Sequence, residues 1–150
     1  MNEKDRAIEL FKEGYNCSQS VFTAFAHRFD IDEDTAKKIS AGLGGGLGRM
    51  REVCGAVSGA AMVIGSICSA TDGADGENKQ KNYELVREFA DRFTERNGSI
   101  ICRELLGLEV KMEKSAEPEK RTAEYYKKRP CVELVGDAAE ILAELIEENE

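Results

Sequence analysis

Glycines occupy positions 42, 44, 45, 46 and 48, and then 55, 59 and 65. The second group lies in a long apolar run that carries Val53, Val57, Ala60, Ile64 and Ile67 at helical spacing. This pattern predicts a helix from about Met50 to about Ala70. Its remaining positions, among them Gly55, Ser58, Gly59 and Ala61, are unusually small. Small side chains let neighbouring helices approach closely, and a larger residue at Gly55 or Gly59 would force them apart. The chain is therefore expected to arrange itself around this helix as a buried centre.

The flanking segments share the helical period. Ala7, Ile8 and Phe11 form one face, with Gly14 as a stop. Val21, Phe22, Phe25 and Phe29 repeat at three-to-four spacing, and a short helix is expected from Asp32 to near Gly42. Leu85, Phe89 and Phe93 lie on a helix from roughly Asn78 to Arg96. A short helix follows Ser99, another falls within residues 118–128, and Pro130 opens the last, with Val135, Ala138, Leu142 and Leu145 inward. Strand-like alternation is nearly absent. The expected architecture is all-α: a single domain, residues 1–150, forming a bundle of about six to eight helices. The segment 111–120 is polar and expected to be exposed.

The first glycine group is not a nucleotide loop. It lacks GxGxxG spacing, no Gly-Lys-Ser/Thr follows, and a helix rather than a strand precedes it. Backbone N–H groups at such a turn can still cradle an anion, with Arg49 or Arg51 adding charge. The alternative is a connection that lets two helices pack closely. Other candidates are weaker. Residues 71–78 lack the acidic alternation of a calcium loop. His27, the single histidine, sits among phenylalanines and reads as a structural or surface residue.

With 41% hydrophobic and 33% charged residues, the composition suits a globular chain. The net charge of −8 argues against nucleic acid and anionic membrane partners. The start has neither a basic region nor an apolar core of a secretory signal, and no apolar run reaches the roughly 20 residues of a membrane span. A cytoplasmic location is expected. There, an odd set of five cysteines points to reduced, ligating or catalytic thiols rather than a disulfide scaffold.

The thiols are placed unevenly. Cys17 follows Asn16, Cys102 comes three residues after Ser99, and Cys131 follows Pro130, so all three are expected in first helical turns. Cys54, a few residues into the central helix, is also expected in a first turn, and Cys68 deep within that helix as a packing residue. A helix N-terminus favours a thiolate by about 0.3–1 kcal/mol, at most ~2, and one pKa unit is about 1.4 kcal/mol. Arg49 and Arg51 before Cys54, Arg103 after Cys102, and Lys127, Lys128 and Arg129 before Cys131 could add to this. If the four converged, thiolates ~6 Å apart at an effective dielectric of ~20 would repel by about 3 kcal/mol per pair, on the order of 17 kcal/mol in all. Such a cluster must hold a cation, an iron–sulfur centre, disulfides or protons. No CxxC motif is present, so any site is assembled from separate helices.

The order Cys17, then Cys54-Gly55-Ala56-Val57-Ser58-Gly59, then lone Cys102 and Cys131 resembles the redox-active protein family with a C…CGAxxG…C…C pattern. The glycine loop and residues 14–21 resemble the same family. The resemblance implies a prokaryotic protein accompanying oxidoreductases and transporters, with an iron–sulfur group as candidate cofactor. It carries over to Cys17, Cys54, Cys102 and Cys131, with Gly55 and Gly59 of the box; Cys68 lies outside it.

The leading expectation is a four-cysteine site that binds a metal or iron–sulfur cluster for electron transfer. Cys17, Cys54, Cys102 and Cys131 would be its ligands, Arg51 would balance charge, and Gly55, Gly59 and Arg49 would complete the cofactor site. One alternative is a metal-free thiol–disulfide oxidoreductase, in which a pair such as Cys54 with Cys17 cycles through a disulfide. The other is a helical interaction module with structural cysteines. Either redox reading implies a redox partner protein.

Overall fold

Short polar side chains decide where most helices begin. In the computed structural model, which describes residues 2–108 and 114–150 and Lys127 and Lys128 by backbone alone, Asn2 opens α1 (Glu3–Lys12) by accepting the Asp5 N–H. Asn16 opens α2 (Cys17–Ala24) in a reciprocal capping box with Gln19. Asp32 caps α3 (Glu33–Ser40), Asp75 caps α5 (Gly76–Asn97) and Thr122 caps α7 (Ala123–Lys128). Three helices start without a side-chain cap: α4 (Gly55–Cys68), α6 (Cys102–Leu105) and α8 (Cys131–Glu148). Each of these begins at or beside a cysteine. Single 3₁₀ turns, Ala26–Arg28 and Ala41–Leu43, follow α2 and α3. Residues 111–113 of the expected exposed segment, and the expected Lys127 and Lys128 charges beside Cys131, lie outside what is described.

The class is all-α. Eight α-helices form among the described residues, and the strand-like element there is one antiparallel bridge between Val53 and Ile101. Helix α4 packs on α2, α5 and α8, while α1 lies against α2 and α8. Phe11, Phe25, Ile64, Phe89, Phe93 and Leu142 are fully buried in one hydrophobic cluster. Each such side chain contributes roughly 1.5–3 kcal/mol when removed from water. Among the described residues, no helix is long and apolar enough to cross a membrane.

The central helix begins later than its periodicity predicts. Leu47, Arg49 and Arg51 all have left-handed backbones, with φ of 70°, 66° and 64°. That conformation costs a non-glycine residue roughly 1–2 kcal/mol and cannot continue into a right-handed helix. Residues 44–52 instead fold back on themselves, and α4 starts at Gly55. Its small face does what its composition predicts. A Cβ added at Gly59 would lie 2.9 Å from the Ser18 carbonyl oxygen, and one at Gly55 would lie 3.0 Å from the Ser18 nitrogen. The backbone of α2 therefore rests directly on the glycine side of α4. The expected run through Phe29 also breaks, since α2 ends at Ala24; Phe29 is half-buried and stacks on Phe22 with centroids 5.1 Å apart.

Candidate functional site

The α2–α4 contact brings two cysteines together: Cys17 is the first residue of α2, and Cys54 is the cap residue of α4 rather than part of its first turn. A short backbone pairing adds a third. Cys54 N–H donates to the Ile100 carbonyl at 2.8 Å, Cys102 N–H to Glu52 at 2.6 Å, and Arg103 N–H to Arg51 at 3.2 Å. Cys102 thus opens α6 beside Cys54. The glycine loop closes over it, since a Cβ at Gly46 would lie 2.7 Å from the Cys102 Cβ. Cys131 opens α8, with Pro130 as the preceding cap residue and not the first helical one.

All four thiols line one cavity of about 70 Å³, together with Arg51, Arg121 and Tyr125. Cys68 is not among them; it is half-buried at the end of α4. All five cysteines are free thiols.

The surroundings bias the four sulfurs differently. The Cys17 thiol hydrogen-bonds to the Cys131 sulfur, which with burial and the neighbouring sulfurs pushes Cys17 well above the ordinary thiol range. Cys131 moves the other way: it receives that hydrogen bond and lies in the field of Arg129, Arg121 and Arg51. Burial pushes Cys54 up to about 12, despite the N–H groups of Ala56 and Val57 that face it. Burial also raises Cys102, against the opposing pull of Arg51. Only Cys131 is lowered, and by Cys17 and the arginines rather than by its helix N-terminus; the interaction with Cys131 dominates at Cys17, and desolvation dominates at Cys54 and Cys102. Protons held by Cys17, Cys54 and Cys102 relieve the repulsion between the four sulfurs.

Five arginines surround the site in different ways. Arg51 is buried at 7% exposure; its Nη1 donates to the Cys102 sulfur at 3.7 Å, and its Nε has no partner. Arg49 turns outward, donating to the Ser115 carbonyl at 3.0 Å and approaching Glu119 at 3.9 Å. Arg103 pairs with Glu52 at 3.1 Å. Arg121 donates to the carbonyls of Phe11 and Tyr15 at 2.9 and 3.0 Å and covers the Phe11 ring at 4.2 Å. Arg129 is ion-paired with Glu119.

The expectation of a metal or iron–sulfur centre on Cys17, Cys54, Cys102 and Cys131 is overturned. Among the described residues, no three His, Cys, Asp or Glu side chains are placed to hold a metal ion. Thiolate ligands must meet a metal about 2.3 Å from each sulfur. Here the four cysteines line one cavity, but no three of them are so placed. The iron–sulfur, metal-binding and electron-carrier readings fall together with that geometry.

The remaining expected residues divide. Gly55 lines the cavity, whereas Gly59 abuts Ser18. The N–H groups from Leu47 to Glu52 donate to carbonyls of their own loop, so that stretch offers no anion cradle. His27 is exposed and lies 3.1 Å from Glu3, far from the thiols in role. Arg121 was not singled out by the spacing of the cysteines. Its signal is the concentration of basic residues in 120–129 within an acidic chain.

No curated protein and no solved structure matches the chain. The thiols gathered here, with the glycines that let α2 settle on α4, are instead the features of a family model described as "Putative redox-active protein (C_GCAxxG_C_C)", whose name transposes the Cys-Gly order found at residues 54 and 55. That model matches residues 15–145, and the chain belongs to this family.

Proposed function

We propose that the protein is a metal-free thiol–disulfide oxidoreductase in which Cys131 attacks and Cys17 resolves. The observation that carries this reading is the gathering of Cys17 and Cys131 in one cavity walled by Arg51 and Arg121, where Cys17 and the neighbouring arginines pull the Cys131 thiol below its ordinary value. Only a thiolate attacks a disulfide, and Cys131 is the thiol whose surroundings favour that form.

The Cys131 thiolate attacks one sulfur of a substrate disulfide and forms a mixed disulfide. The substrate S–S bond breaks, and the departing thiolate takes the proton from Cys17. The Cys17 thiolate then attacks the Cys131 sulfur, forming a Cys17–Cys131 disulfide and releasing the second substrate thiolate, which is protonated by water. Two electrons pass to the substrate, and the protein is left oxidised. A dithiol reductant, such as a redox partner protein, restores the pair by the reverse exchange. Cys54 and Cys102, held by the pairing of residues 51–54 with 100–103, form a second dithiol beside the first. A reducing, cytoplasmic setting suits the five free thiols, and the acidic chain suits partners other than nucleic acid.

Peptide mass spectrometry tests the assignment. Reduced protein is exposed to bis(2-hydroxyethyl) disulfide and quenched in acid. Wild type is expected to accumulate the Cys17–Cys131 disulfide, Cys17→Ser a mixed disulfide on Cys131, and Cys131→Ser neither. Wild type and Cys131→Ser reacting alike would overturn it.

A further inference from the structure

Outside the thiol cavity lies a second, larger one of about 340 Å³, and Cys131, Arg51, Arg121 and Tyr125 line both. It is the antechamber to the attacking sulfur. Its wall carries Arg49, Arg51, Arg121 and Arg129, with Glu119 the acidic residue among the lining side chains. Four arginines and one glutamate line it beside Cys131, so the wall stays net positive inside a chain of charge −8. Glu119 already shows what the wall prefers: its carboxylate is ion-paired with Arg129, stands 3.9 Å from Arg49, and is held below the usual carboxylate range by them.

Arg51 supplies an independent sign. A buried donor left without a partner destabilises the fold, more so when it is charged. Its Nε is such a donor, in a side chain that lines both cavities. The ligand that repays this cost is an acceptor carrying negative charge. The volume lies at the small end of the range for small-molecule pockets, about 300–1,000 Å³.

We propose that this antechamber selects small disulfides bearing a carboxylate or comparable anionic group, placed by Arg51 and Arg129 so that the disulfide reaches Cys131. The proposal rests on the thiol–disulfide reading, and it names the substrate class of that site.

Three disulfides with the same two-methylene spacer separate charge from size: 3,3′-dithiodipropionate, bis(2-hydroxyethyl) disulfide and cystamine. Their rates of reaction at Cys131 are normalised to their rates with a free thiol in solution. The dicarboxylate is expected to exceed the neutral compound by about tenfold or more, and the neutral one to exceed the diammonium compound. Arg129→Gln, at a half-buried and accessible position, is expected to shrink that preference, and Arg51→Gln to remove it. A thioether analogue, 3,3′-thiodipropionate, measures binding without chemistry. Calorimetry is expected to detect it with wild type and to find it weakened in both variants. If all three disulfides are inert but the thioether binds in an Arg-dependent way, the anion site stands and the oxidoreductase reading fails. Equal normalised rates, or no binding of the thioether, would overturn the anion site, and Arg129→Gln decides the matter should Arg51→Gln not fold.

Discussion

Cys17 and Cys131 each open a helix, yet their protons behave oppositely. Position on a helix is therefore not the deciding variable. Cys131 has Arg129, Arg121 and Arg51 around it and accepts a hydrogen bond; Cys17 donates that bond and faces three other sulfurs. Substoichiometric iodoacetamide at neutral pH is expected to label Cys131 first, with a rate that rises with pH and levels off below the ordinary thiol value. Cys17→Ala removes the donor and is expected to shift that profile to higher pH, while Cys17→Ser retains a donor and shifts it less. Cys54 gives the complementary expectation. The unfolded chain releases its proton near the ordinary thiol value of 9.0, but the folded chain holds it to about 12. Between those values the folded state binds more protons, so this contribution to stability is full below the unfolded pKa and is lost as pH rises through the window. Denaturant midpoints measured from pH 8 to 11 are expected to fall less steeply in Cys54→Ala than in wild type, beyond the constant offset of the substitution.

The pairing of α2 with α4 depends on two glycines whose neighbours are backbone and cannot swing aside. Gly59→Ala puts a methyl group 2.9 Å from the Ser18 carbonyl oxygen. Urea unfolding is expected to show a loss of about 1–3 kcal/mol, the usual cost of overpacking, and labelling of Cys17 and Cys54 should rise as the helices part. Gly136→Ala on α8 is the contrasting case. Its methyl group meets the flexible end of Ile8 at 3.1 Å, so the better helix propensity of alanine offsets the contact and stability should stay near wild type. The helical class and the small-residue face of α4 were legible because each is a periodic or compositional signal; the gathering of Cys17, Cys54, Cys102 and Cys131 was only a supposition there, supported by the family resemblance, because no spacing rule brings separate helices to one point. The start of α4 was not, because left-handed Leu47, Arg49 and Arg51 carry no glycine to announce them. Nor was the proton-filled state of the cavity. Counting charges leaves cation, cluster, disulfide and protons equally open, and only the placement of the side chains, with no three ligands grouped for a metal among the described residues and all five cysteines free, selects among them.

The two ends of the chain are tied together: α1 packs on α8, and Lys4 reaches Glu140 at 2.6 Å. Arg121 in turn ties the segment before α7 to α1 through the carbonyls of Phe11 and Tyr15. We expect residues 1–150 to unfold as one domain. The chain lacks tryptophan and has four tyrosines, which makes the test informative. Tyr15, Tyr125 and Tyr126 sit against the core on the side of the thiol cavity, whereas Tyr83 is exposed on α5. Tyrosine emission therefore reports mainly on the thiol side, and far-ultraviolet circular dichroism reports on helices throughout. In urea, under reducing conditions, the two signals are expected to change together with a single midpoint. A tyrosine transition well ahead of the helical one would show that the cavity and its arginine wall open while α4, α5 and α8 still hold. The site would then be a separately stable unit, and the cooperative picture would fail. Arg121→Gln is the substitution most suited to splitting the two curves, because it cuts the tie to α1 and leaves the α1–α8 packing intact.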